Sequence, residues 1–435
     1  MTRRAVVVGG GIGGSSVARE LLRGGVEVVV IERGEHLGGL VTSFEVAGTP
    51  LEMFYHHVFP HESEIVGLIG ELGLGDRLGW YRSSVAILTG RRVWPFTGPL
   101  DLLRFGPLPM ADRLRMGVGS LRVTRERDWR ALDAITARDW LASRTSDRAA
   151  SVVWEPLLRA RFGPAGGDVP AAWMWGRFRQ RAGARRRGGE RLGYLRGGFR
   201  QMFDALERRL SEEGADLRLG TAVESIRIEG GRVRGVDLAD GTVEADVVVF
   251  AGTLPGLGRL VPAGSADPRW TAAEGLGAIC VILELPAALG PAYWTNVCDP
   301  ALPFGGVIEH TNLVPPSDYG GRHVVYLSRY FAREEGFATA DLETEADAWL
   351  GGLEDRFPGF RRSGVLGVHP FRTPYAAPLP RVGHLSRIPP IRSHVPGLFL
   401  CTTAQIYPAD RGMDEGIRLA KRVARIAEAE PALRV

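Results

Sequence analysis

The chain begins with an apolar run that leads directly into a glycine-rich turn, and this segment limits the fold more than any other. Residues 5–8 favour a β-strand, and Gly9, Gly11 and Gly14 follow with the spacing G-x-G-x-x-G. The first glycine permits a tight turn, the second lets the backbone approach a pyrophosphate, and the third lets the following helix pack on the strand. The order of strand, turn and helix predicts a dinucleotide-binding unit.

A second apolar strand, over residues 26–31, ends at Glu32. A carboxylate at this position can accept hydrogen bonds from the hydroxyl groups of a ribose. The same negative charge disfavours a 2′-phosphate, so we expect a cofactor other than NADP.

The residues after Glu32 distinguish FAD from NAD. Arg33 and the pair Gly38-Gly39, followed by Leu40, resemble the E-R-x(4)-G-G segment of the flavoprotein family that includes amine oxidases, phytoene desaturases, protoporphyrinogen oxidase and UDP-galactopyranose mutase. The resemblance implies FAD as the cofactor. By this resemblance the expected FAD contacts are Gly9, Gly11, Ile12, Gly13, Gly14, Glu32, Arg33, Gly38, Gly39, Leu40, Val223, Thr402, Thr403, Gly412 and Met413.

The length of 435 residues and the hydrophobic content of 45% predict a globular protein of two or more domains. The resemblance implies an α/β fold: a Rossmann-type, glutathione-reductase-like FAD-binding domain with an inserted α+β substrate domain. The FAD-binding domain is expected to be discontinuous, over 1–80, 194–265 and 370–435, with the substrate domain over 81–193 and 266–369. We predict helices over 62–74, 136–141, 151–162, 199–213 and 341–353, a three-stranded meander over 223–244, and an extended connector over 370–380.

Two departures from the family pattern concern the site. The strand-end Gly-Asp pair that contacts FAD in the family is replaced by Thr402-Thr403. Typical amine oxidases use a lysine of the substrate domain beside the flavin, whereas the only lysine here is Lys421, near the C-terminus. The chain therefore departs from a typical amine oxidase.

Three residues are candidates for a catalytic role. His56 and His57 lie in a stretch that passes beside the flavin in the family, and histidine exchanges protons near neutral pH. Paired histidines can also be polar contacts of a loop. Tyr407, with Asp410 and Met413, resembles a pattern before the last helix of UDP-galactopyranose mutase, and it is expected to orient the substrate.

An arginine-rich segment predicts an anionic small-molecule substrate. Guanidinium groups bind phosphates and carboxylates through two hydrogen bonds, so Arg177 and Arg179 are expected to bind the substrate, together with Tyr375, Asp410 and Arg411. A solvated loop is the alternative for this segment. A net charge of +4 and the lack of a nucleic-acid-binding motif disfavour nucleic acid as a partner. The arginines of the segment are Arg177, Arg179, Arg181, Arg185, Arg186, Arg187 and Arg191.

The expected function is FAD-dependent oxidoreduction, in which a hydride passes from a small molecule, such as a nucleotide sugar or another anionic biosynthetic intermediate, to flavin N5. The alternative is a non-redox sugar-nucleotide mutase resembling UDP-galactopyranose mutase. A flavin-binding protein without catalysis is a third interpretation.

Cysteine spacing and hydropathy bear on the location of the protein. Cys280, Cys298 and Cys401 show neither metal-ligand nor disulfide spacing, so no metal is expected and a reducing cytoplasm fits. No apolar run approaches 18 residues, which predicts no transmembrane helix. The apolar and arginine-rich segment 95–123 could lie on a membrane surface, although we favour a role in covering the substrate pocket. Nothing in the sequence indicates an oligomeric state.

Overall fold

The computed structural model describes residues 3–123, 125–186 and 189–430. These residues form β-strands and α-helices. The strands are β1 (Arg4–Val8), β2 (Glu27–Ile31), β3 (Ser43–Val46), β4 (Thr49–Glu52), β5 (Leu78–Arg82), β6 (Val85–Thr89), β7 (Arg92–Pro95), β8 (Arg185–Arg186), β9 (Gly189–Leu195), β10 (Asp216–Arg218), β11 (Val223–Glu229), β12 (Arg232–Leu238), β13 (Gly241–Glu244), β14 (Val247–Phe250), β15 (Gly275–Leu285), β16 (Trp294–Val297), β17 (Gly306–Glu309), β18 (His323–Ala332), β19 (Gly367–Pro378) and β20 (Leu398–Leu400).

The helices cover the predicted helical segments and several others. They are α1 (Ile12–Arg23), α2 (Ser63–Glu71), α3 (Pro99–Arg104), α4 (Met110–Val123), α5 (Ala137–Arg144), α6 (Asp147–Ala149), α7 (Glu155–Phe162), α8 (Ala171–Ala184), α9 (Arg200–Glu212), α10 (Leu254–Leu260), α11 (Pro268–Thr271), α12 (Leu342–Arg356) and α13 (Met413–Glu428). The helix expected over 151–162 starts as a π-helical turn, Ala150–Trp154, and becomes α-helical as α7.

A five-stranded parallel sheet with the order β10-β2-β1-β14-β20 forms the centre of the cofactor-binding part. The apolar runs of β1 and β14 are buried because both faces of this sheet are covered. Helices α1, α9 and α13 pack on one face, and the meander β11-β12-β13 packs with α10 on the other. The expected α/β fold with its Rossmann-type unit is confirmed.

A seven-stranded mixed sheet, with the order β19-β15-β18-β17-β16-β6-β7, forms the second layer of the molecule. The extended connector expected over 370–380 is wrong: β19 occupies most of this range and pairs with β15 in antiparallel register. Prolines at 370, 374 and 378 argue against a central strand, but β19 lies at the edge of the sheet, where prolines are tolerated. The domain boundaries stay a prediction.

Helices α3 to α8 form a layer with a core of its own, built around residues such as Phe105, Trp140 and Phe162. Helix α8 was not predicted, because its arginines suggested a loop. Within the described ranges, no helix combines the length and the apolar character needed to cross a bilayer.

Candidate active site

The two glycine segments expected to hold a dinucleotide meet at the carboxyl end of the parallel sheet. Gly9 has a φ of +108°, and the N–H of Gly38 donates to the carbonyl of Gly10 over 3.0 Å. A Cβ atom on Gly39 would lie 3.1 Å from the Cα of Gly11, so a side chain there would crowd the facing backbone. Among the described residues, no side chain caps the N-terminus of α1 after Gly11. This cradle therefore offers free backbone N–H groups and a helix dipole to an anion.

Glu32 lies beside the cradle. Its Oε2 accepts the N–H of Gly10 over 2.6 Å, and its Oε1 accepts the N–H of Gly34 over 2.8 Å. The backbone carbonyl of Glu32 accepts the N–H of Thr221, which brings the start of β11 at Val223 to the same end of the sheet. Arg33 is exposed at the rim, and Leu40 is half-buried.

The C-terminal segment reaches the same cradle. The Sγ of Cys401 lies 3.3 Å from the place of a Cβ on Gly13, and Ile12 contacts Gly416 of α13. Thr402 is buried, and its N–H donates to the side-chain oxygen of Gln405, which shapes the turn that starts at Thr403. Helix α13 begins after Gly412 with Met413 buried against α1, and its N-terminus lacks a side-chain cap among the described residues.

These features fit FAD on three counts. The cradle has no room for side chains, and among the described residues the N-termini of α1 and α13 lack side-chain caps. The carboxylate of Glu32 lies at the strand end where a fold of this type binds a ribose. The glycine turn, Glu32, the pair Gly38-Gly39 and the C-terminal segment therefore meet here, although they come from both ends of the sequence. Their individual contacts with the cofactor stay predictions.

A cluster of arginines surrounds Asp410 near the N-terminus of α13. Arg177 Nη1 donates to Asp410 Oδ2 over 2.6 Å, and Arg161 Nη2 lies 3.5 Å from Oδ1. Burial acts to raise the pKa of Asp410, but the arginines outweigh it and hold that pKa below the ordinary value of 3.8. Asp410 is therefore ionised at neutral pH and neutralises part of the local positive charge.

Arg411 completes the arginine cluster. Its Nη2 donates to the hydroxyl of Tyr330 over 3.0 Å, and that hydroxyl shares a hydrogen bond of 3.2 Å with the hydroxyl of Tyr55. Arg161 stacks over the Tyr330 ring with its guanidinium carbon 3.7 Å from the ring centroid. The Nε of Arg411 is buried and has no hydrogen-bond partner among the described residues. A buried donor without a partner is costly, so this N–H is suited to a ligand.

A narrow cleft adjoins this cluster. Arg161, Asp410, Arg411, Tyr407 and His384 are among its lining residues. The Nδ1 of His384 is a second buried polar atom that lacks a partner within the described ranges. The cleft therefore places positive charge beside two unsatisfied polar groups, a combination suited to a polar partner.

Tyr407 lines the cleft but already has a partner. Its hydroxyl donates to Asp133 Oδ1 over 2.5 Å, and its ring packs against those of His384 and Trp129. Burial and the nearby carboxylate both raise the pKa of Tyr407. Its ring can orient a ligand in this position, while its hydroxyl is held by the protein.

The two candidate histidines are neutral in this structure. Burial lowers the pKa of His56 to about 4 and that of His57 to about 3, the latter with help from Arg181 and Arg177. His56 Nδ1 lies 2.5 Å from the carbonyl oxygen of Phe54, and His57 Nδ1 lies 3.3 Å from the Tyr293 hydroxyl. Both are weak bases, and their catalytic roles stay predictions.

The remaining candidate residues have partners other than Asp410. Arg179 is exposed on α8 and stacks over Trp175, away from Arg177's ion pair. Tyr375 packs against Gly275, and burial raises its pKa to about 12 despite a hydrogen bond with Thr403. Lys421 pairs with Glu64 over 2.6 Å. Arg187 lies outside the described residues.

Arg161, Tyr330 and His384 were missed in the sequence. Arg161 follows Leu157 and Leu158 at helical intervals of four and three residues, which places it on the inward face of α7. That periodicity is a signal for a buried arginine. Tyr330 and His384 carry no comparable signal, since their neighbours at the site come from distant segments.

Comparisons with known proteins identify the family of the chain. The family model described as flavin containing amine oxidoreductase matches residues 12–427. A putative flavin-containing monoamine oxidase, AofH, of Mycobacterium tuberculosis is 28% identical over 259 residues, which cover 57% of this chain and 56% of the relative. The 15-cis-phytoene desaturase of Solanum lycopersicum is 25% identical over 59% of this chain and 47% of its own length. The chain thus spans about half the length of these curated relatives.

Solved structures show the same fold. A putative protoporphyrinogen oxidase from Exiguobacterium sp. 255-15 has a TM-score of 0.78 at 20% identity, with 99% of each chain covered. A reduced UDP-galactopyranose mutase has a TM-score of 0.73 at 15% identity, with 100% of this chain and 96% of the other covered. The expected family resemblance is confirmed, and FAD is the cofactor that the family uses. The chain belongs to the family of flavin-containing amine oxidoreductases.

Proposed function

We propose that this chain is an FAD-dependent oxidoreductase that oxidises a small organic molecule carrying an anionic group, such as a carboxylate or a phosphate. The observation that supports this substrate class is the arginine cluster at the cleft. Arg161, Arg177 and Arg411 surround the single carboxylate of Asp410, so positive charge exceeds negative charge in a largely buried place.

The arginines bind and orient the substrate in this proposal. The unpartnered Nε–H of Arg411 donates to the anionic group, while Tyr330 and Arg161 hold the Arg411 guanidinium and the tyrosine ring in place. Bound FAD supplies the two-electron acceptor for the oxidation. The closely packed aromatic rings around Tyr407 limit the access of water to the cleft.

Other features support the setting of this reaction. The thiols of Cys280, Cys298 and Cys401 are unpaired and buried, which fits a reducing compartment such as the cytoplasm. Lys421 pairs with Glu64 over 2.6 Å, so the chemistry proposed here uses no lysine.

The first experiment is anaerobic mixing of the purified flavoprotein with a panel of anionic and neutral candidate substrates, nucleotide sugars included, while flavin absorbance is recorded. Bleaching by anionic compounds alone would support the proposal. Bleaching by neutral amines alone would contradict the substrate class but not the oxidoreductase activity. If nothing bleaches the flavin and the chemically reduced protein isomerises a nucleotide sugar, the non-redox mutase is the correct function.

A matched pair of variants tests the arginine cluster directly. Arg177→Gln removes an arginine of the cluster, whereas Arg179→Gln removes an exposed arginine from the same helix. We expect Arg177→Gln to raise KM for the anionic substrate by about tenfold or more, because a charge-assisted contact is lost. Arg179→Gln should leave KM unchanged. Equal effects of the two variants would contradict the assignment.

A further inference from the structure

Helices α3 and α4 present a row of large apolar side chains to solvent. Leu100 and Leu103 lie on α3, and Met110, Leu114 and Val118 follow one face of α4 at intervals of four residues. These five side chains, which we call the apolar stripe, are between 38% and 67% exposed. Outside residues 99–123, only Ile135 and Leu366 are exposed large apolar side chains within the described ranges.

The apolar stripe is separate from the face that holds the helices to the protein. Phe105, Met116 and Val123 are almost fully buried and belong to the core of the helical layer. Helix α4 therefore has two apolar faces, of which the protein itself covers one. Several large apolar side chains exposed along one helix face mark an interaction site.

Exposed charges around the apolar stripe are mainly positive. Arg104, Arg115 and Arg122 are exposed on the two helices. The two acidic residues of these helices are engaged locally, since Asp101 accepts the N–H groups of Thr97 and Gly98, and Asp112 is buried beside Arg115. Beyond α4, Arg125 and Arg127 are exposed together with Asp128, while Glu126 pairs with Arg144.

We propose that the apolar stripe docks this protein onto the surface of an anionic phospholipid bilayer. A helix with an apolar face and an arginine rim lies in the plane of the interface, where its apolar side chains enter the acyl boundary and its guanidinium groups meet phosphates. Two copies of the stripe facing each other would bring the arginine rims together, and like charges repel. Charge complementarity therefore favours anionic lipid over a second copy of the chain.

Vesicle sedimentation tests the proposal with the whole flavoprotein. Wild-type protein should bind vesicles that contain phosphatidylglycerol about tenfold or more tightly than vesicles of phosphatidylcholine alone, and added salt should weaken the binding. The combined variant Leu100→Ser, Leu114→Ser and Val118→Ser should lose this binding. The control Ile135→Ser with Leu366→Ser changes exposed apolar residues elsewhere and should bind as wild type does.

A labelled variant settles the question if the serine variant fails to fold. The three native cysteines are buried, so Val118→Cys can carry an environment-sensitive dye, with Leu366→Cys as its control. Anionic vesicles should shift the emission of the dye at position 118 to the blue and leave the dye at 366 unchanged. The proposal is overturned if wild-type protein ignores these vesicles, if both dyes respond alike, or if the stripe mediates self-association without vesicle binding.

Discussion

Nη1 of Arg177 on α8 lies 2.6 Å from Oδ2 of Asp410, two residues before the N-terminal cap of α13. This ion pair joins the helical layer to the helix that packs on the cofactor-binding sheet. Arg161 approaches the same carboxylate from α7, so one acidic side chain fixes three segments around the cleft.

Replacing Asp410 should therefore destabilise the protein while strengthening its attraction for anions. Asp410→Asn leaves buried arginines without their counter-ion, which costs about 3 kcal/mol of unfolding free energy. Because the folded pKa of Asp410 is lowered, this contribution is present above about pH 3.8 and is lost as the pH falls below that value. Urea unfolding at neutral and acidic pH measures the size of this stabilisation and its loss at low pH. Asp139→Asn, at an exposed aspartate, is the control.

Changing Gly39 tests the cofactor cradle. Gly39→Val places a side chain against the backbone of Gly11, where the backbone must approach the diphosphate closely. The ratio of flavin to protein absorbance should therefore fall by about tenfold or more. Gly48→Val carries a similar backbone penalty, because its φ is +77°, but nothing lies within 4 Å of its Cβ position. Equal flavin loss in both variants would show that strain, and not crowding of the cradle, is responsible.

The glycine cradle could be predicted because its information is local. Strand, turn, helix and Glu32 follow one another within the first 32 residues, and each has a physical requirement that few residue types meet. The arginine cluster around Asp410 could be predicted only in part. Asp410 and Arg177 were named as substrate residues, but their ion pair joins positions 233 residues apart and no local pattern encodes it.

His57 should make the protein sensitive to acid. Its folded pKa is lowered to about 3, against about 6.5 in the unfolded chain, so its contribution to stability is complete above pH 6.5 and decreases as the pH falls. Between pH 7 and pH 5 the wild type should lose about 2 kcal/mol more unfolding free energy than His57→Gln does. The exposed His36→Gln should behave as wild type. A His57→Gln profile parallel to that of the wild type would contradict the lowered pKa of His57.

Tyr330 should ionise more readily than an ordinary tyrosine. Burial raises the pKa of its hydroxyl, but Arg161 and Arg411 outweigh burial and lower that pKa below 10. Ultraviolet titration of the wild type should therefore show a tyrosinate step that Tyr330→Phe removes. Burial raises the pKa of Tyr81, so the Tyr81→Phe variant should retain this early step. An early step that survives Tyr330→Phe would assign the ionisation to another residue.

Strand β19 and helix α8 show why the rest of the fold escaped prediction. Prolines in β19 suggested a connector, yet an edge strand uses only one side of its backbone for pairing, so the missing N–H groups cost little. The arginines in α8 suggested a solvated loop. Trp173 and Met174 of the same helix are buried, however, so one side of α8 faces the protein interior. In both cases tertiary position overrode local propensity.

The position of β20 at one edge of the parallel sheet has a consequence for biosynthesis. Strands β1 and β2 are made long before residues 398–428, which supply β20 to their sheet and the covering helix α13 to α1. A nascent chain therefore exposes the apolar surface of α1 for most of its synthesis. Because α13 contributes to the cofactor cradle, we expect flavin to bind only after this late segment has folded onto α1.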